Sequence, residues 1–422
     1  MASGGTNPFI DRDDVLSQIV GEFAARDPAY PDRRRALKQK LAPLTDQLSK
    51  LQESGHPMGC AEQIMLEVQW LLNYRDDWDR AERRLGELAI SLADIGQGEA
   101  SQDEDGSWGS CCEEWYRKLE PTVDALQTAG LEVSGLKPLL FMERFKDARA
   151  VLDYLYRLQI TDIRANGRNE RDELGAVQSA LSQLIFKDEL RETLKENPAF
   201  GFTISDELGA IYGDYLQLTQ HPRTGYWGPW YRFSGRLVMV QDLSFTFHVV
   251  SYQSGNIANW PLVIDTTLAI KPLRYPMGWK PDADTQYSNH NNYDILTILS
   301  LGWPHMSSAR KDEARAEIAA MLDWCLTESV DGDGFKNSGD SDLDAYYFGV
   351  RFLDRVGFWD QSKRFWSRRD PSLPPGAPTP SDLCRRLQRG FARLNANSEE
   401  AETVRFLLAT AVCMTASTGS LA

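Results

Sequence analysis

The sequence has little positive charge. Its 422 residues include 46 lysines and arginines against 61 aspartates and glutamates, which gives a formal net charge of −15 and a pI near 4.9. A protein that binds nucleic acid carries a basic face, whereas the arginines here occur in short runs among acidic or apolar neighbours. The composition therefore argues against nucleic acid as a partner and favours solubility.

Long apolar runs and a leader are also missing. No stretch approaches the roughly 18 apolar residues that a membrane-spanning helix needs. The first residues, MASGGTNPFIDRDD, contain neither a basic nor an apolar segment, so we expect no secretory signal and a disordered N-terminus at residues 1–10. These absences predict a soluble, cytoplasmic protein with no membrane span.

The cysteines lack the spacing of a metal site. Six are present, Cys111 and Cys112 are adjacent, and no C-x-x-C pattern occurs. Because a cytoplasmic protein keeps its thiols reduced, we predict reduced, mostly buried cysteines. A phosphate-binding G-x-x-x-x-G-K-[ST] loop and a G-x-S-x-G nucleophile elbow are absent too. We expect neither a cofactor nor a metal.

What the sequence does contain is helical periodicity. Apolar residues recur every three to four positions in 60–73 and in 80–95, and a polar turn at 73–77 joins the two stripes. Similar patterns continue at 113–130 and 137–159. The first part of the chain is therefore predicted to consist of helical hairpins.

Residues after 220 repeat a glycine–aromatic loop, a polar cluster, an apolar helix and a glycine. The copies begin at Gly225–Gly228, Gly278–Trp279 and Asp331–Phe335, and Asp105–Gly109 is a candidate for an earlier copy. A period of roughly 50 residues with one helix pair per repeat is typical of stacked α-hairpins.

This repeat resembles the repeats of α/α-toroid enzymes. They include squalene cyclase-like terpenoid cyclases, prenyltransferase β subunits, and many polysaccharide lyases and glycoside hydrolases. The likeness covers residues 220–360 and, more loosely, 100–220. It implies an all-α chain with an N-terminal helical extension at 11–100, an α/α toroid at 101–375, and C-terminal helices with a tail at 376–422. Fold alone carries little information about function.

The sharpest polar cluster is the octapeptide YSNHNNYD, residues 287–294. A lyase acting on uronic acids needs a carboxylate neutraliser, a base of near-neutral pKa and an acid for the leaving oxygen. Asn289, His290 and either Tyr287 or Tyr293 offer these three types, similar to the Asn-His-Tyr sets of toroid lyases. Helix capping and hydrogen bonds within a polar loop explain the same residues equally well.

Carboxylates at matching repeat positions suggest hydrolysis instead. Inverting hydrolases place an acid and a base roughly 6.5–9.5 Å apart. Asp242, Asp294 and Asp344 occupy corresponding places in successive repeats. His248, one repeat before His290, is a candidate second base for the lyase. Solvated loop or capping residues are the alternative interpretation.

A third pattern is similar to the Asp-x-Asp-Asp motif of class II terpenoid cyclases. Asp282 and Asp284 match it, but Thr285 stands where the next aspartate belongs. The resemblance implies Asp284 as an acid that protonates an alkene or epoxide. A solvated acidic loop explains the same residues.

Aromatic and basic residues in the repeat loops complete the predicted site. Tyrosine and tryptophan faces bind sugars and carbocations, and arginine binds carboxylate, sulfate or phosphate. The candidates for substrate binding are Tyr226, Trp227, Trp230, Tyr231, Trp279, Arg223 and Arg232. Packing at the toroid rim is the other interpretation of the rings.

These patterns together predict an enzyme that acts on a carbohydrate as an oligosaccharide lyase or hydrolase. Its partner would be a small-molecule or oligosaccharide substrate. Two alternatives stay open, namely a terpenoid cyclase-like enzyme and a non-catalytic toroid that binds a glycan or a protein.

Overall fold

The structure is a computed structural model. It describes residues 29–53, 60–72, 77–93, 102–128, 136–145, 147–162, 165, 169–196, 204–233, 235–281, 285–336, 342–369, 373–394 and 399–418. The predicted disordered segment 1–10 and the predicted acid Asp284 lie outside these ranges.

The described residues group into two compact units. Unit 1 takes its residues from Met1–Leu48 and His56–Gln253, and unit 2 takes them from Ser49–Gly55 and Ser254–Ala422. Helices dominate both units, which confirms the helical class. The domain boundaries expected near residues 100 and 375 stay predictions.

Unit 1 combines helices with a small sheet. Its helices are α1 (Tyr30–Glu53, of which the residues up to Leu48 belong to this unit), α2 (Cys60–Trp70), α3 (Trp78–Ala93), α4 (Leu119–Thr128), α5 (Ala148–Gln159), α6 (Arg171–Phe186), α7 (Asp188–Glu196), α8 (Asp206–Thr219) and α9 (Leu243–Tyr252), with 3₁₀ turns at Trp115–Lys118 and Leu140–Phe145. Strand β1 (Ile160–Thr161) runs parallel to β2 (Trp230–Phe233), which pairs antiparallel with β3 (Arg236–Met239). Helical periodicity did not predict these strands because they are only two to four residues long.

The predicted hairpin of the N-terminal region is present. Helices α2 and α3 pack against each other, and Val68 and Leu88 from the two apolar stripes are fully buried. Arg84 crosses from α3 to Glu67 of α2, where its guanidinium lies 2.5 Å from the carboxylate. Apolar burial along one stripe per helix is the main source of stability for such a pair.

The expectation of reduced cysteines is wrong for one pair. Cys60, at the start of α2, forms a disulfide with Cys111, which lies 51 positions further along the chain. Cys112, Cys325 and Cys384 are free and buried, as expected. Burial raises the pKa of the Cys112 thiol to about 12, so it stays protonated beside the disulfide.

Unit 2 is built around a central pair of helices. Its helices are α10 (Trp260–Ala269), α11 (Asn289–Gly302), α12 (Ser308–Trp324), α13 (Asp342–Arg355), α14 (Pro380–Leu394) and α15 (Glu399–Thr418), with 3₁₀ turns at Trp303–His305 and Gln361–Lys363 and a π-helical turn at Cys325–Ser329. Strands β4 (Val330–Asp331) and β5 (Gly334–Phe335) form a hairpin. Helix α11 packs against α13 and α10, and α15 packs against α13 and α14.

None of the helices in the described ranges has the length and apolar character needed to cross a lipid bilayer.

Gly390 allows helix α14 to lie close to Asp333 and Tyr346 of unit 2. A Cβ atom at this position would overlap the Asp333 carbonyl oxygen and the Tyr346 hydroxyl, which are themselves hydrogen-bonded at 2.7 Å. We expect Gly390→Ala to lower the free energy of unfolding by about 1–3 kcal/mol, because a closely packed core resists added volume. Chemical denaturation monitored by circular dichroism would measure the change.

Gly86 is the matched control, since it also lies inside a helix but has no atom within 4 Å of an added Cβ. Gly86→Ala should raise stability by about 0.5–1 kcal/mol through helix propensity. Equal effects of the two substitutions would contradict the close packing at Gly390.

Candidate functional site

The first turns of α11 carry the polar residues of the candidate site. The Ser288 hydroxyl caps the helix by accepting a hydrogen bond from the Asn291 amide at 3.2 Å. His290 and Asp294 are four residues apart, so they share one face of the helix. Helix α13 packs against α11 and supplies the groups next to them.

The imidazole of His290 is held from two directions. Its ring stacks on the Phe348 ring of α13, with centroids 4.0 Å apart and planes 3° from parallel. Its Nε2 atom lies 3.4 Å from the Tyr275 hydroxyl and 3.9 Å from Asp294 Oδ2. The Tyr275 hydroxyl also donates a hydrogen bond to Asp294 Oδ2 at 3.1 Å. These contacts define the Tyr275–His290–Asp294 cluster.

Accessibility divides the cluster into an outer and an inner member. The side chain of His290 is 32% exposed, whereas that of Asp294 is only 1% exposed. A substrate in solvent therefore has access to the imidazole, while the Asp294 carboxylate acts from within the protein. Such a pairing of a reachable ring with a buried carboxylate is suited to acid–base chemistry.

Burial favours the neutral form of His290. Desolvation lowers the pKa of His290 below its ordinary value of about 6.5, and the Asp344 carboxylate of α13 opposes this shift. The neutral ring that results near pH 7 has one nitrogen available as a base.

Tyr275 is the member that the sequence did not indicate. It lies in the loop between α10 and α11, where its amide donates to the Lys280 carbonyl at 2.8 Å and the Lys280 amide donates to the Leu273 carbonyl at 2.9 Å. These backbone bonds fix the loop, and the loop brings Tyr275 to His290. In the sequence, the only feature that marks Tyr275 is its position close to the Gly278–Trp279 loop.

An arginine of α13, Arg351, is linked to the cluster through aromatic rings. The guanidinium of Arg351 is 4.5 Å from the ring centre of Tyr293 and 4.8 Å from that of Tyr347, and it also donates to the Tyr347 hydroxyl. The Tyr293 ring in turn contacts Phe348, the ring on which His290 stacks. The predicted Tyr293 is thus connected to the cluster through Phe348, and Arg351 places a positive charge on the Tyr293 ring.

Two other predicted residues of the octapeptide have different surroundings. Asn289 is buried and donates through Nδ2 to the Ser329 hydroxyl at 2.7 Å. The Tyr287 ring packs on Trp324, and burial raises the pKa of its phenol while Lys271 lowers it. We therefore do not carry the expected roles of Asn289 and Tyr287 into the candidate site.

Asp242 and His248 belong to unit 1. Asp242 caps α9 by accepting from the Phe245 amide at 3.0 Å, and it binds the Arg171 guanidinium through both oxygens at 2.8 and 2.9 Å. The His248 ring stacks on Tyr252 at 5.5 Å. Because its oxygens already accept these bonds, Asp242 has a structural role in unit 1.

Most of the predicted sugar-binding rings are buried in the core of their own unit. Tyr226 and Tyr231 are almost fully buried, and so are Trp227 and Trp279. Each of the two indoles donates to a backbone carbonyl at 2.8 Å, from Leu216 and Thr267 respectively. Such surroundings are typical of packing residues.

The remaining predicted contacts are nearer the surface of unit 1. Trp230 is half-buried and packs beside the His221 ring. Arg223 is exposed, and Arg232 is half-exposed with Asp162 3.7 Å away.

A buried charged network in unit 1 was not foreseen. It forms at the start of α6, where Arg171 binds Asp242 while Asp172 accepts from Arg117 and from the Tyr116 hydroxyl. In the sequence, the charged run NERDE at 169–173 is typical of a polar loop whose side chains are solvated. Their partners are distant in sequence, so the pairing had no local signal.

Within the described part of the chain, no group of three or more histidine, cysteine, aspartate or glutamate side chains is arranged to hold a metal ion.

Comparisons with known proteins add no family to this geometry. The chain matches no protein-family profile, no curated protein and no solved structure. The Tyr275–His290–Asp294 cluster is therefore the feature from which a function is inferred.

Proposed function

We propose that the protein is an enzyme that acts on a carbohydrate by general acid–base catalysis at His290, in a chain whose helices form an α/α toroid. The observation that carries this proposal is a neutral, partly exposed imidazole that is braced by Phe348 and lies within hydrogen-bond reach of Tyr275. Support for the toroid comes from the repeat, since the helices Leu243–Tyr252, Asn289–Gly302 and Asp342–Arg355 each follow one copy of it.

Elimination fits the cluster better than hydrolysis. A hydrolase needs two carboxylates that flank the sugar. Asp294 is almost inaccessible and accepts the Tyr275 proton, and Asp242 is held by Arg171. A lyase needs one base that is unprotonated near pH 7, and burial keeps His290 neutral by lowering its pKa while its side chain is partly exposed.

The proposed reaction uses the residues as follows. His290 removes the proton from the carbon next to the carboxylate of a uronic acid, the electron pair of that C–H bond forms a C=C bond, and the bond to the leaving oxygen breaks. The leaving oxygen takes up a proton from water, and the products are an unsaturated sugar and a free hydroxyl. Arg351, held beside Tyr293 and Tyr347, is the cation proposed to bind the carboxylate of the substrate. Charge-assisted bonds from arginine to carboxylate are strong and directional.

Two substrate sets would test the proposal. The purified chain is incubated with uronic-acid oligosaccharides and with matched neutral oligosaccharides, and the ultraviolet absorbance of a conjugated double bond is followed alongside the release of reducing ends. Absorbance growing only with the uronic set supports the lyase, whereas reducing ends without absorbance indicate a hydrolase. A thermal shift with isoprenoid diphosphates alone would support the cyclase instead.

The pH profile follows from the direction of the His290 shift. Only neutral His290 acts as a base, so kcat/KM should fall as pH falls through its pKa in the free enzyme. Because burial lowers that pKa, the acid limb should lie below the ordinary histidine value of about 6.5. A limb above this value, measured from pH 4 to 9 in buffers of constant ionic strength, would contradict the assignment of His290 as the base.

A further inference from the structure

The geometry points to one tautomer of His290: the Asp294–Tyr275 pair keeps the proton on Nε2, and Nδ1 is therefore the basic atom. The catalytic meaning of this inference rests on the proposed function, whereas the tautomer is a property of the folded protein alone. Asp294 and Tyr275 are assigned as positioning residues, because they act through the imidazole.

The Tyr275 hydroxyl has a single proton to donate. A phenol has one O–H donor and accepts through its oxygen lone pairs, whereas an ionised carboxylate only accepts. The hydroxyl lies 3.1 Å from Asp294 Oδ2, so its proton points toward that carboxylate. The Tyr275 oxygen then faces His290 as an acceptor.

The imidazole has to match that acceptor. Nε2 lies 3.4 Å from the Tyr275 oxygen, and a neutral imidazole carries a proton on only one of its nitrogens. A lone pair on Nε2 would face a lone pair on the phenol, whereas an Nε2–H donates to it. The same Nε2–H is 3.9 Å from Asp294 Oδ2, so the carboxylate charge favours this tautomer as well.

The surroundings keep the ring in this orientation. Stacking on Phe348 fixes the ring plane, and the burial of Asp294 keeps its carboxylate away from competing water. Asp344 of α13 is another carboxylate that acts on the ring, and its charge favours the protonated imidazole. The selection therefore comes from the loop residue Tyr275 and from Asp294 on the helix that carries His290.

Nitrogen NMR on the full chain tests the tautomer directly. Histidine is labelled with ¹⁵N at both ring positions, and the signals of His290 among the five histidines are identified by their loss in His290→Ala. Above its pKa, we expect a pyrrole-type shift at Nε2 and a pyridine-type shift at Nδ1. The reverse pattern would overturn the inference, because it would mean that Nε2 accepts a hydrogen bond from the Tyr275 hydroxyl. The single proton of that hydroxyl would then point to His290 and not to Asp294.

Substitution of the intermediary gives the second measurement. Tyr275→Phe keeps the ring but removes the acceptor, so the two ¹⁵N shifts of His290 should move toward each other as the tautomers mix. Tyr287→Phe is the matched control, since this tyrosine lies in the same connection between α10 and α11 but contacts Trp324 and Lys271. It should leave the His290 shifts in place, and unchanged shifts in Tyr275→Phe would overturn the role of Tyr275.

Turnover separates this inference from the proposed function. With an active uronic substrate, Tyr275→Phe should lower kcat by about tenfold or more with little change in KM, because orientation of the base matters in the transition state. A pure Nε2–H signal in a protein that turns over no carbohydrate would reject the proposed function and keep the tautomer. Turnover with the reverse tautomer would keep the function and reject this inference.

Discussion

Replacing Arg171 with methionine should lower the free energy of unfolding by about 3–5 kcal/mol, the usual cost of removing one partner from a buried ion pair. Arg171 reaches Asp242 with two hydrogen bonds at 2.8 and 2.9 Å, and the Asp242 side chain is only 1% exposed. Methionine fills a similar volume but leaves the Asp242 charge buried without its cation. The change is measured by chemical denaturation and by the thermal midpoint.

An exposed ion pair of unit 2 is the matched control. Arg310 donates through the same Nε atom to Asp265 at 2.7 Å, but the two side chains are 41% and 51% exposed. Arg310→Met should therefore change stability by only about 0–1 kcal/mol. Similar losses in the two variants would show that burial does not govern the Arg171 pair.

A second substitution identifies the source of the loss. If the buried charge is responsible, adding Asp242→Asn to Arg171→Met should recover part of the lost stability, because asparagine is neutral and still caps α9. Asp242→Asn could instead lower the free energy of unfolding by the same amount in the Arg171→Met variant as in the unchanged protein. That result would mean that the two side chains act independently.

His290→Ala should lower kcat by about 10²–10⁴-fold on a substrate found in the oligosaccharide assay, which is the usual contribution of a positioned acid or base. Removal of the imidazole leaves Tyr275 and Asp294 in place, but neither is oriented to accept a proton from a sugar carbon. Steady-state kinetics at a pH above the acid limb would measure the loss.

The control for this substitution is His305→Ala. His305 is also a histidine of unit 2 that stacks on an aromatic ring, with its plane 6° from that of Trp260 at 5.6 Å. It is exposed at the surface in a 3₁₀ turn and is absent from the cluster around His290. If kcat of His290→Ala is as high as kcat of His305→Ala, His290 is not the base.

The parts of the fold that follow local chemistry were predictable. Buried stripes such as those containing Val68 and Leu88 recur with the helical period, so the α2–α3 hairpin was visible in the sequence. The apolar part of α11 from Ile295 was visible too, whereas its start was not, because Ser288 caps the helix and the polar cluster forms its first turns. His290 and Asp294 were chosen for their residue types and repeat positions, and their common helix face follows from the structure.

The partners of these residues could not be predicted, because they are remote in sequence. Tyr275 reaches His290 only through the backbone bonds of its loop, and Phe348 reaches it only because α13 packs on α11. Arg171 and Asp242 pair across 71 positions. No periodicity or spacing within either segment carries that information. The burial of the aromatic loop residues also depends on remote partners, so Trp227 and Trp279 were predicted to bind substrate although they are core residues.

The disulfide between Cys60 and Cys111 has a consequence for the covalent connectivity of the chain. It closes a ring that contains α2, α3 and the polar loop ahead of Cys111. A protease that cuts one peptide bond inside this ring opens it without releasing a fragment, because the two pieces stay joined through sulfur. The nicked chain therefore keeps its full mass until a reductant reaches the bond, and only then separates into two polypeptides.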